Sequence, residues 1–172
     1  MNAKKLKNVS DSLALFFDAV INQYSLRTLK AFKANDIVQC FTAKEYLTAP
    51  TYLSVQVSDN QHIHLEPEFL QYLNHSCEPN IFLNTEQGSI IALRDIAMGE
   101  EICFFYPSTE WTIAQVFDCR CKTKSCLGMI EGANNLSHDI IKNYRFNSHI
   151  LEKLNKLNLD LNKKRPKPVL DS

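Results

Sequence analysis

The hydrophobic positions near the N-terminus recur at helical spacing. The four apolar residues that carry this pattern are Leu13, Phe16, Phe17 and Val20. Their spacing predicts a short amphipathic helix over residues 10–21. Further along, the stretch YLSVQVS alternates Leu53, Val55 and Val57 with polar side chains. A period of two predicts a strand with one buried face.

The middle of the chain adds a short helix and two strands. In LEPEFLQYL, Pro67 can open a helix that directs Phe69, Leu70 and Leu73 to one side. Two later runs, SIIALRDI and EEICFFY, are apolar and rich in β-branched and aromatic residues. They are separated by a turn at Met98-Gly99, so we expect two strands.

The C-terminal part of the sequence returns to a helical pattern. Between residues 138 and 161, one stripe carries Ile150, Leu151, Leu154 and Leu157, which predicts a helix. The segment NKKRPKP that follows has charge, two prolines and almost nothing to bury. We expect this tail to fray.

Taken together, these elements predict a β-rich α+β protein with short helices at both ends and no internal repeat. A chain of 172 residues with 45% hydrophobic content can bury one sizeable core. No apolar run approaches the roughly 20 residues that span a bilayer. The first ten residues, MNAKKLKNVS, lack the apolar stretch of a secretory signal. We therefore expect a soluble, cytoplasmic protein with no membrane partner.

Charge is distributed unevenly although the formal net charge is zero. Seven of the 19 basic residues lie in the two tails, so residues 9–162 carry 12 basic and 18 acidic residues, a net charge of −6. An acidic body suits a cationic ligand better than a phosphate backbone. The simpler interpretation is a solvated surface with two frayed tails.

Three of the six cysteines form a C-x-C-x4-C cluster in a segment without hydrophobic periodicity. They are Cys119, Cys121 and Cys126, in DCRCKTKSCLG. A disulfide framework is one interpretation, but neighbouring C-x-C thiols rarely pair, and a chain made in the cytosol meets a reducing environment. A tetrahedral zinc site is the better interpretation of this cluster. Such a site needs a fourth ligand, and Cys77 is the candidate. Inert thiols are the remaining alternative, and Cys40 and Cys103 are expected to pack in the core.

Three motifs occur in a recognisable order: NHSCEPN, then ALRDIAMGEEICFFY, then FDCRCKTKSCLGMI. This order resembles the SET-domain protein lysine methyltransferases with a post-SET zinc segment, over about residues 25–132 and most densely from Leu73 to Gly132. The resemblance implies a SET-type β-clip of short strands in which the first motif and the tyrosine strand form a pseudoknot. It also implies four parts, which are an N-terminal helix (1–22), a SET domain (23–116), a post-SET zinc segment (117–132) and a C-terminal helix with a basic tail (133–172).

The resemblance also implies roles for individual residues. Asn74, His75, Ser25 and Phe117 would bind S-adenosylmethionine. Cys77, brought to the post-SET cysteines by the pseudoknot, would be the fourth zinc ligand. The amine of a lysine in a protein or peptide substrate would enter a channel.

The channel itself is implied by the strand that ends in tyrosine. Tyr106 would orient the amine for in-line attack on the methyl group. Phe104 stands where members of the family carry phenylalanine or tyrosine. Because phenylalanine leaves more room than tyrosine, the product is expected to include dimethyl- or trimethyl-lysine.

Some positions depart from the family pattern. The glycines of the family's opening hairpin appear as Gln23 and Ser25, and Phe105 replaces a frequent acid. Glycine serves in such a hairpin because it allows close approach of the backbone. Trp111 and Phe117 are candidates for stacking on adenine, although aromatic residues at such a junction are as often packing residues.

The sequence features leave three functions open. The first is an active lysine methyltransferase, and the alternative is a catalytically silent SET-like module that binds a lysine-rich partner. A nucleic-acid-binding zinc module is the weakest, because basic residues do not interleave with aromatic ones along one surface.

Overall fold

The structure, a computed structural model, describes residues 2–163, with the side chains of residues 2–157. This part of the chain forms short strands with two α-helices near its C-terminal end. The strands are β1 (Lys4–Asn8), β2 (Leu13–Asp18), β3 (Gln23–Thr28), β4 (Ile37–Cys40), β5 (Thr42–Leu47), β6 (Val55–Ser58), β7 (Gln61–Glu66), β8 (Asn74–His75), β9 (Ile81–Asn84), β10 (Ser89–Ala92), β11 (Cys103–Phe104), β12 (Phe117–Asp118) and β13 (Met129–Ile130). The helices are α1 (His138–Ile141) and α2 (Ser148–Lys163).

The strands make three small antiparallel sheets and two strand pairs. The sheets have the orders β1-β2-β3, β4-β10-β9 and β5-β7-β6. The pair β8-β11 is parallel, and the pair β12-β13 is antiparallel. Inward-facing side chains of the three sheets share one apolar core, in which Leu13, Leu26, Leu83 and Ile90 are fully buried. The β-rich fold class predicted from the sequence is confirmed.

The predicted N-terminal helix is wrong, because residues 13–18 form the central strand of a sheet. β2 pairs with β1 on one side and with β3 on the other, so its backbone groups are satisfied between strands. The rings of Phe17 and Tyr24, which face each other across this pairing, lie 4.8 Å apart. Val20, the last member of the supposed helical stripe, is 73% exposed in the turn between β2 and β3.

The remaining elements follow the sequence prediction more closely. Val55–Ser58 is a strand, and Glu68–Tyr72 is a 3-10 helix that begins after Pro67. The turn at Gly99 has φ +84°, a conformation that favours glycine.

The predicted C-terminal helix is present but interrupted between α1 and α2. Of its stripe, Ile150 and Leu154 are buried, whereas Leu151 and Leu157 are exposed. The two buried residues join a second apolar cluster around Phe105 and Phe146. No helix in the described residues is long and apolar enough to cross a membrane. The frayed tail predicted for NKKRPKP lies mostly outside the described residues.

Candidate active site and metal centre

The packet NHSCEPN lies beside β11, which ends two residues before Tyr106, the first residue of a 3-10 turn. β8 pairs in parallel with β11, so that Asn74 faces Cys103 and His75 faces Phe104. After β8, the backbone N–H of Ser76 donates to Phe104 O at 3.0 Å. These contacts hold the two segments together as the expected pseudoknot requires.

Asn80 joins these two segments, and sequence reasoning gave it no role. Its Oδ1 accepts a hydrogen bond from Cys103 N–H at 2.8 Å, and its Nδ2 donates to Glu101 O at 2.8 Å and to Glu100 Oε1 at 3.1 Å. The side chain is 3% exposed. No local pattern in the sequence indicates this role, because the partners of Asn80 lie 20 to 23 residues further along the chain.

His75 contacts both Tyr106 and Cys77. Its Nδ1 accepts a hydrogen bond from the backbone N–H of Tyr106 at 3.2 Å. Nε2 must then carry the ring proton in the neutral imidazole, and it donates to Cys77 Sγ at 3.3 Å. Burial lowers the pKa of His75 to about 4, so the ring is neutral at pH 7.

Tyr106 is enclosed by aromatic rings. Its ring centroid lies 4.8 Å from that of Phe104 and 5.9 Å from that of Phe117. The hydroxyl donates to Leu73 O at 2.8 Å. Burial raises the pKa of Tyr106 well above its usual value, so the hydroxyl keeps its proton at pH 7.

Asn74 connects β8 to the opening hairpin. Its Nδ2 donates to Tyr24 O at 2.8 Å and to Glu101 Oε1 at 2.9 Å. Ser25, next to Tyr24 in β3, is buried, whereas Gln23 is exposed at the start of that strand. The exposed position of Gln23 means that its side chain does not fill the buried space beside Asn74.

Phe117 packs its edge against His75, with ring centroids 5.8 Å apart. The structure therefore brings Phe117, His75 and Tyr106 together. Trp111, the other aromatic candidate, packs instead in the second apolar cluster, and Lys153 lies 5.6 Å from its ring centroid. Its contacts are those of a packing residue.

The four cysteines proposed as zinc ligands converge on one point. The Sγ atoms of Cys77, Cys119, Cys121 and Cys126 all lie within 4.8 Å of one another. All six cysteines of the chain are free thiols, so the disulfide alternative finds no support. Sulfur atoms about 2.3 Å from a tetrahedral zinc lie about 3.8 Å apart, and the Sγ atoms of Cys77 and Cys119 are 3.8 Å apart.

The pKa of Cys77 and the hydrogen bond to its sulfur are also consistent with a cation bound by this cluster. Burial raises the pKa of Cys77 to about 11, so this thiol needs a nearby positive charge to become a thiolate. Leu127 N–H donates to Cys77 Sγ at 3.4 Å, as backbone donors do around thiolate ligands. Of the two cysteines expected in the core, Cys103 is partly buried, but Cys40 is exposed at the end of β4, so that expectation is wrong for Cys40.

A buried carboxyl group near Tyr106 was also missed. Glu110 is 8% exposed, and its Oε1 accepts hydrogen bonds from Gln56 N–H at 2.8 Å and from the Thr109 hydroxyl at 3.1 Å. Burial raises its pKa to about 7. The sequence TEW gave no signal of this burial.

Comparison with known proteins places the chain among methyltransferases. The family model described as SET domain matches residues 11–107. Methyltransferase flvH of Aspergillus flavus is 34% identical over 132 residues, which cover 76% of this chain and 74% of that protein. The variant-silencing SET domain-containing protein of Plasmodium falciparum is 33% identical over 92 residues, which cover 45% of this chain and 4% of that protein.

A solved structure supports the same fold. The crystal structure of KRYPTONITE in complex with mCHH DNA, an H3(1-15) peptide and SAH aligns with a TM-score of 0.52 at 18% identity, covering 68% of this chain and 29% of that chain. At this identity the likeness concerns the fold. The family match covers more than half of the 172 residues and includes both NHSCEPN and Tyr106. The chain therefore belongs to the SET-domain family of methyltransferases.

Proposed function

We propose that this protein transfers methyl groups from S-adenosylmethionine to a lysine side chain of a protein or peptide substrate. One observation carries the proposal: the hydroxyl of Tyr106 donates to Leu73 O, and its ring lies among the rings of Phe104, Phe117 and His75. This is the arrangement expected of a narrow aromatic channel with one polar group. The solved structure of KRYPTONITE, similar in fold, contains SAH and an H3 peptide, which supports this class of cofactor and substrate.

Four residues are proposed to hold S-adenosylmethionine: Ser25, Asn74, His75 and Phe117. Their chemistry suits parts of this molecule. Ser25 is small and buried, and the Asn74 side chain lies between a backbone carbonyl and the Glu101 carboxylate. Such oxygen atoms suit the ammonium group of the cofactor, and the aromatic faces near Phe117 suit its adenine.

Zinc is proposed to bind Cys77, Cys119, Cys121 and Cys126. The role we assign to it is structural, because four thiolates fill a tetrahedral site and leave no position for substrate. Bound zinc would fasten the segment that carries Phe117 to the packet that carries His75. Zinc would therefore stabilise the cofactor site without taking part in methyl transfer.

Bound S-adenosylmethionine would supply a methyl group on a positively charged sulfur: the lone pair of the lysine nitrogen would form the new N–C bond as the S–C bond breaks, and the sulfur would leave as a neutral thioether. The residues of the chain prepare the amine. A lysine amine has a pKa near 10.4 and must lose a proton to water before it can attack. Enclosure by Phe104 and Phe117 disfavours the charged ammonium form and promotes this loss.

Tyr106 orients the amine. Its hydroxyl proton is engaged by Leu73 O, which leaves an oxygen lone pair to accept a hydrogen bond from the amine. Because its pKa is raised by burial, Tyr106 acts as a neutral hydroxyl. Phe104 has no hydroxyl to bind the amine or to occupy space. We therefore infer that the product includes dimethyl- or trimethyl-lysine.

The experiment that tests the proposal measures transfer of a labelled methyl group to a lysine-rich protein mixture. Tyr106→Phe is expected to lower transfer at least a hundredfold, since it removes the one polar group of the channel. Tyr46→Phe is the matched control, because Tyr46 is 66% exposed on β5. The proposal is wrong if the wild-type protein methylates no lysine, or if Tyr106→Phe transfers methyl groups as fast as the control.

A second candidate is a catalytically silent module that binds a lysine-rich partner. Two observations favour it: glutamine and serine replace glycines in the opening hairpin, and the body of the chain is acidic. Calorimetric titration of S-adenosylmethionine into zinc-loaded protein separates the two candidates. Saturable binding near one-to-one supports the enzyme. No binding at millimolar cofactor supports the silent module, whose partner affinity Tyr106→Phe would leave unchanged.

A further inference from the structure

Phe105 joins the segment between β11 and Tyr106 to the C-terminal part of the chain. It lies between Phe104 and Tyr106 in sequence, and its side chain is 2% exposed. Its ring stacks face to face on Tyr144, with centroids 3.7 Å apart and planes 8° apart. Phe146 adds an edge contact at 6.2 Å. An acid at position 105 could not make these contacts, so the departure noted in the sequence has a structural use.

Tyr144 also reaches the metal centre. Its hydroxyl donates to the backbone carbonyl of Cys77 at 2.8 Å. One side chain therefore contacts both a proposed zinc ligand and the residue that precedes Tyr106.

Asn147 fixes the start of the C-terminal helix to the same region. Its Nδ2 donates to Leu83 O and to Ser108 O, each at 3.0 Å, and its Oδ1 accepts from the backbone and hydroxyl of Thr85 at 2.9 and 3.0 Å. The side chain is 2% exposed, and all four of its bonds are made. Because Ser108 follows Tyr106 by two residues, the turn that carries Tyr106 is held from both sides.

We propose that Tyr144 is a positioning residue that couples the geometry of the metal centre to that of Tyr106. Two routes connect Cys77 to Tyr106. One runs through His75, which bonds to Cys77 Sγ and to Tyr106 N–H. The other runs from Cys77 O through Tyr144 to Phe105, the neighbour of Tyr106. A displacement of Cys77 would therefore disturb contacts that also hold Tyr106 in place, and the reverse holds as well.

The expected effect of Tyr144 on zinc binding is independent of catalysis. Its expected effect on methyl transfer rests on the proposed function. Groups that orient a metal ligand from outside typically account for ten- to a hundredfold in metal affinity. We expect a value at the lower end, because Tyr144 contacts the backbone of Cys77 and not its sulfur. Tyr144→Phe removes the hydroxyl and keeps the ring that stacks on Phe105.

The test compares Tyr144→Phe and Phe105→Leu with the wild-type protein and with the control Tyr46→Phe. Zinc affinity is measured by competition with a chromophoric chelator, and ligand geometry by the visible absorption of Co²⁺-loaded protein. We expect Tyr144→Phe to weaken zinc binding about tenfold and to change the Co²⁺ spectrum. We expect both variants to lower kcat more than KM for the lysine substrate.

Several outcomes overturn the inference. Zinc affinity and a Co²⁺ spectrum equal to those of the control in Tyr144→Phe would do so, whatever the activity. If Tyr144→Phe does not fold, Phe105→Leu decides, and unchanged kcat in that variant overturns the coupling to Tyr106. If the wild-type protein transfers no methyl group, the proposed function fails, and the metal measurements alone then decide the inference.

Discussion

The carboxyl group of Glu110 lies beside the imidazole of His62, with 3.9 Å between Oε2 and Nδ1. Both side chains are buried, and His62 Nδ1 makes no hydrogen bond in the described structure. Burial raises the pKa of Glu110 to about 7 and lowers that of His62. A protonated Glu110 carries a donor that faces His62 Nδ1, whereas the ionised form places a charge in the interior with only the two neutral donors on Oε1.

We predict that Glu110→Gln changes how stability depends on pH. The folded protein holds the Glu110 proton more tightly than the unfolded chain does, so the stability from this proton is complete below about pH 4.5 and is lost as the pH rises through about 7. The difference from 4.5 to about 7 corresponds to roughly 3 kcal/mol, at about 1.4 kcal/mol for each pH unit. Glutamine donates at every pH, so the variant should keep this stability at pH 8.

Urea denaturation at pH 3, pH 5 and pH 8 measures this effect and that of the control below. Glu86→Gln is the control with the opposite sign, because the Ser148 hydrogen bonds lower the pKa of Glu86. Removing that carboxyl should cost stability at neutral pH and nothing at low pH. Equal pH dependence in wild type and Glu110→Gln would show that Glu110 does not titrate in this range.

Metal removal is predicted to open the segment of residues 117–132 before the rest of the domain unfolds. Three ligands lie in that segment and Cys77 lies outside it, so only the cross-connection is lost. Cofactor binding should disappear while far-ultraviolet circular dichroism stays near its starting value. Cys126→Ser should act like a chelator, and Cys40→Ser should not, because Cys40 is exposed and distant from the cluster. Unchanged cofactor binding after complete metal removal would contradict this prediction.

Phe104→Tyr is predicted to reduce the number of methyl groups added. The new hydroxyl would occupy space next to Tyr106 and bind the amine, so the product should shift toward monomethyl-lysine. Mass spectrometry of the methylated substrate measures the shift. Phe69→Tyr is the matched control, since Phe69 is half-buried in the 3-10 helix before the site. If Phe104→Tyr leaves the product distribution unchanged, Phe104 does not determine how many methyl groups are added.

Asn80→Ala is predicted to destabilise the fold by about 3 kcal/mol. It leaves the N–H of Cys103 and the carbonyl of Glu101 without their buried partners, at roughly 1–3 kcal/mol each. Thermal unfolding measures the loss, and Asn60→Ala, in the exposed turn between β6 and β7, is the control. If both variants melt alike, Asn80 does not hold the two segments together.

The sequence predicted the convergence of the four cysteines better than it predicted the N-terminal part of the chain. Cys77 could be named because three thiols demand a fourth ligand, which is a local chemical argument. The strand at Leu13–Asp18 could not be recognised, because its pairing with β1 and β3 is a tertiary property that overrides an apparent helical period. The prediction for the domain boundaries at 23, 117 and 133 stays a prediction.

Long-range contacts account for most of what the sequence did not reveal. In the sequence, Phe105 is only the replacement of an acid that is frequent in the family, whereas in the structure it stacks on Tyr144. Glu110 and Asn147 have no special sequence context, and their burial depends on elements distant in the chain. Such contacts leave no period or spacing that a single sequence can show.

The NHSCEPN packet is synthesised well before the cysteines and the tyrosine that it contacts. Cys119 follows Cys77 by 42 residues, and Tyr144 follows it by 67. The ribosome therefore delivers the packet long before the thiols and the phenol that it will hold. All four proposed zinc ligands precede Tyr144 in the chain, so a nascent chain that stops before Tyr144 carries every ligand but lacks the hydroxyl that donates to Cys77 O.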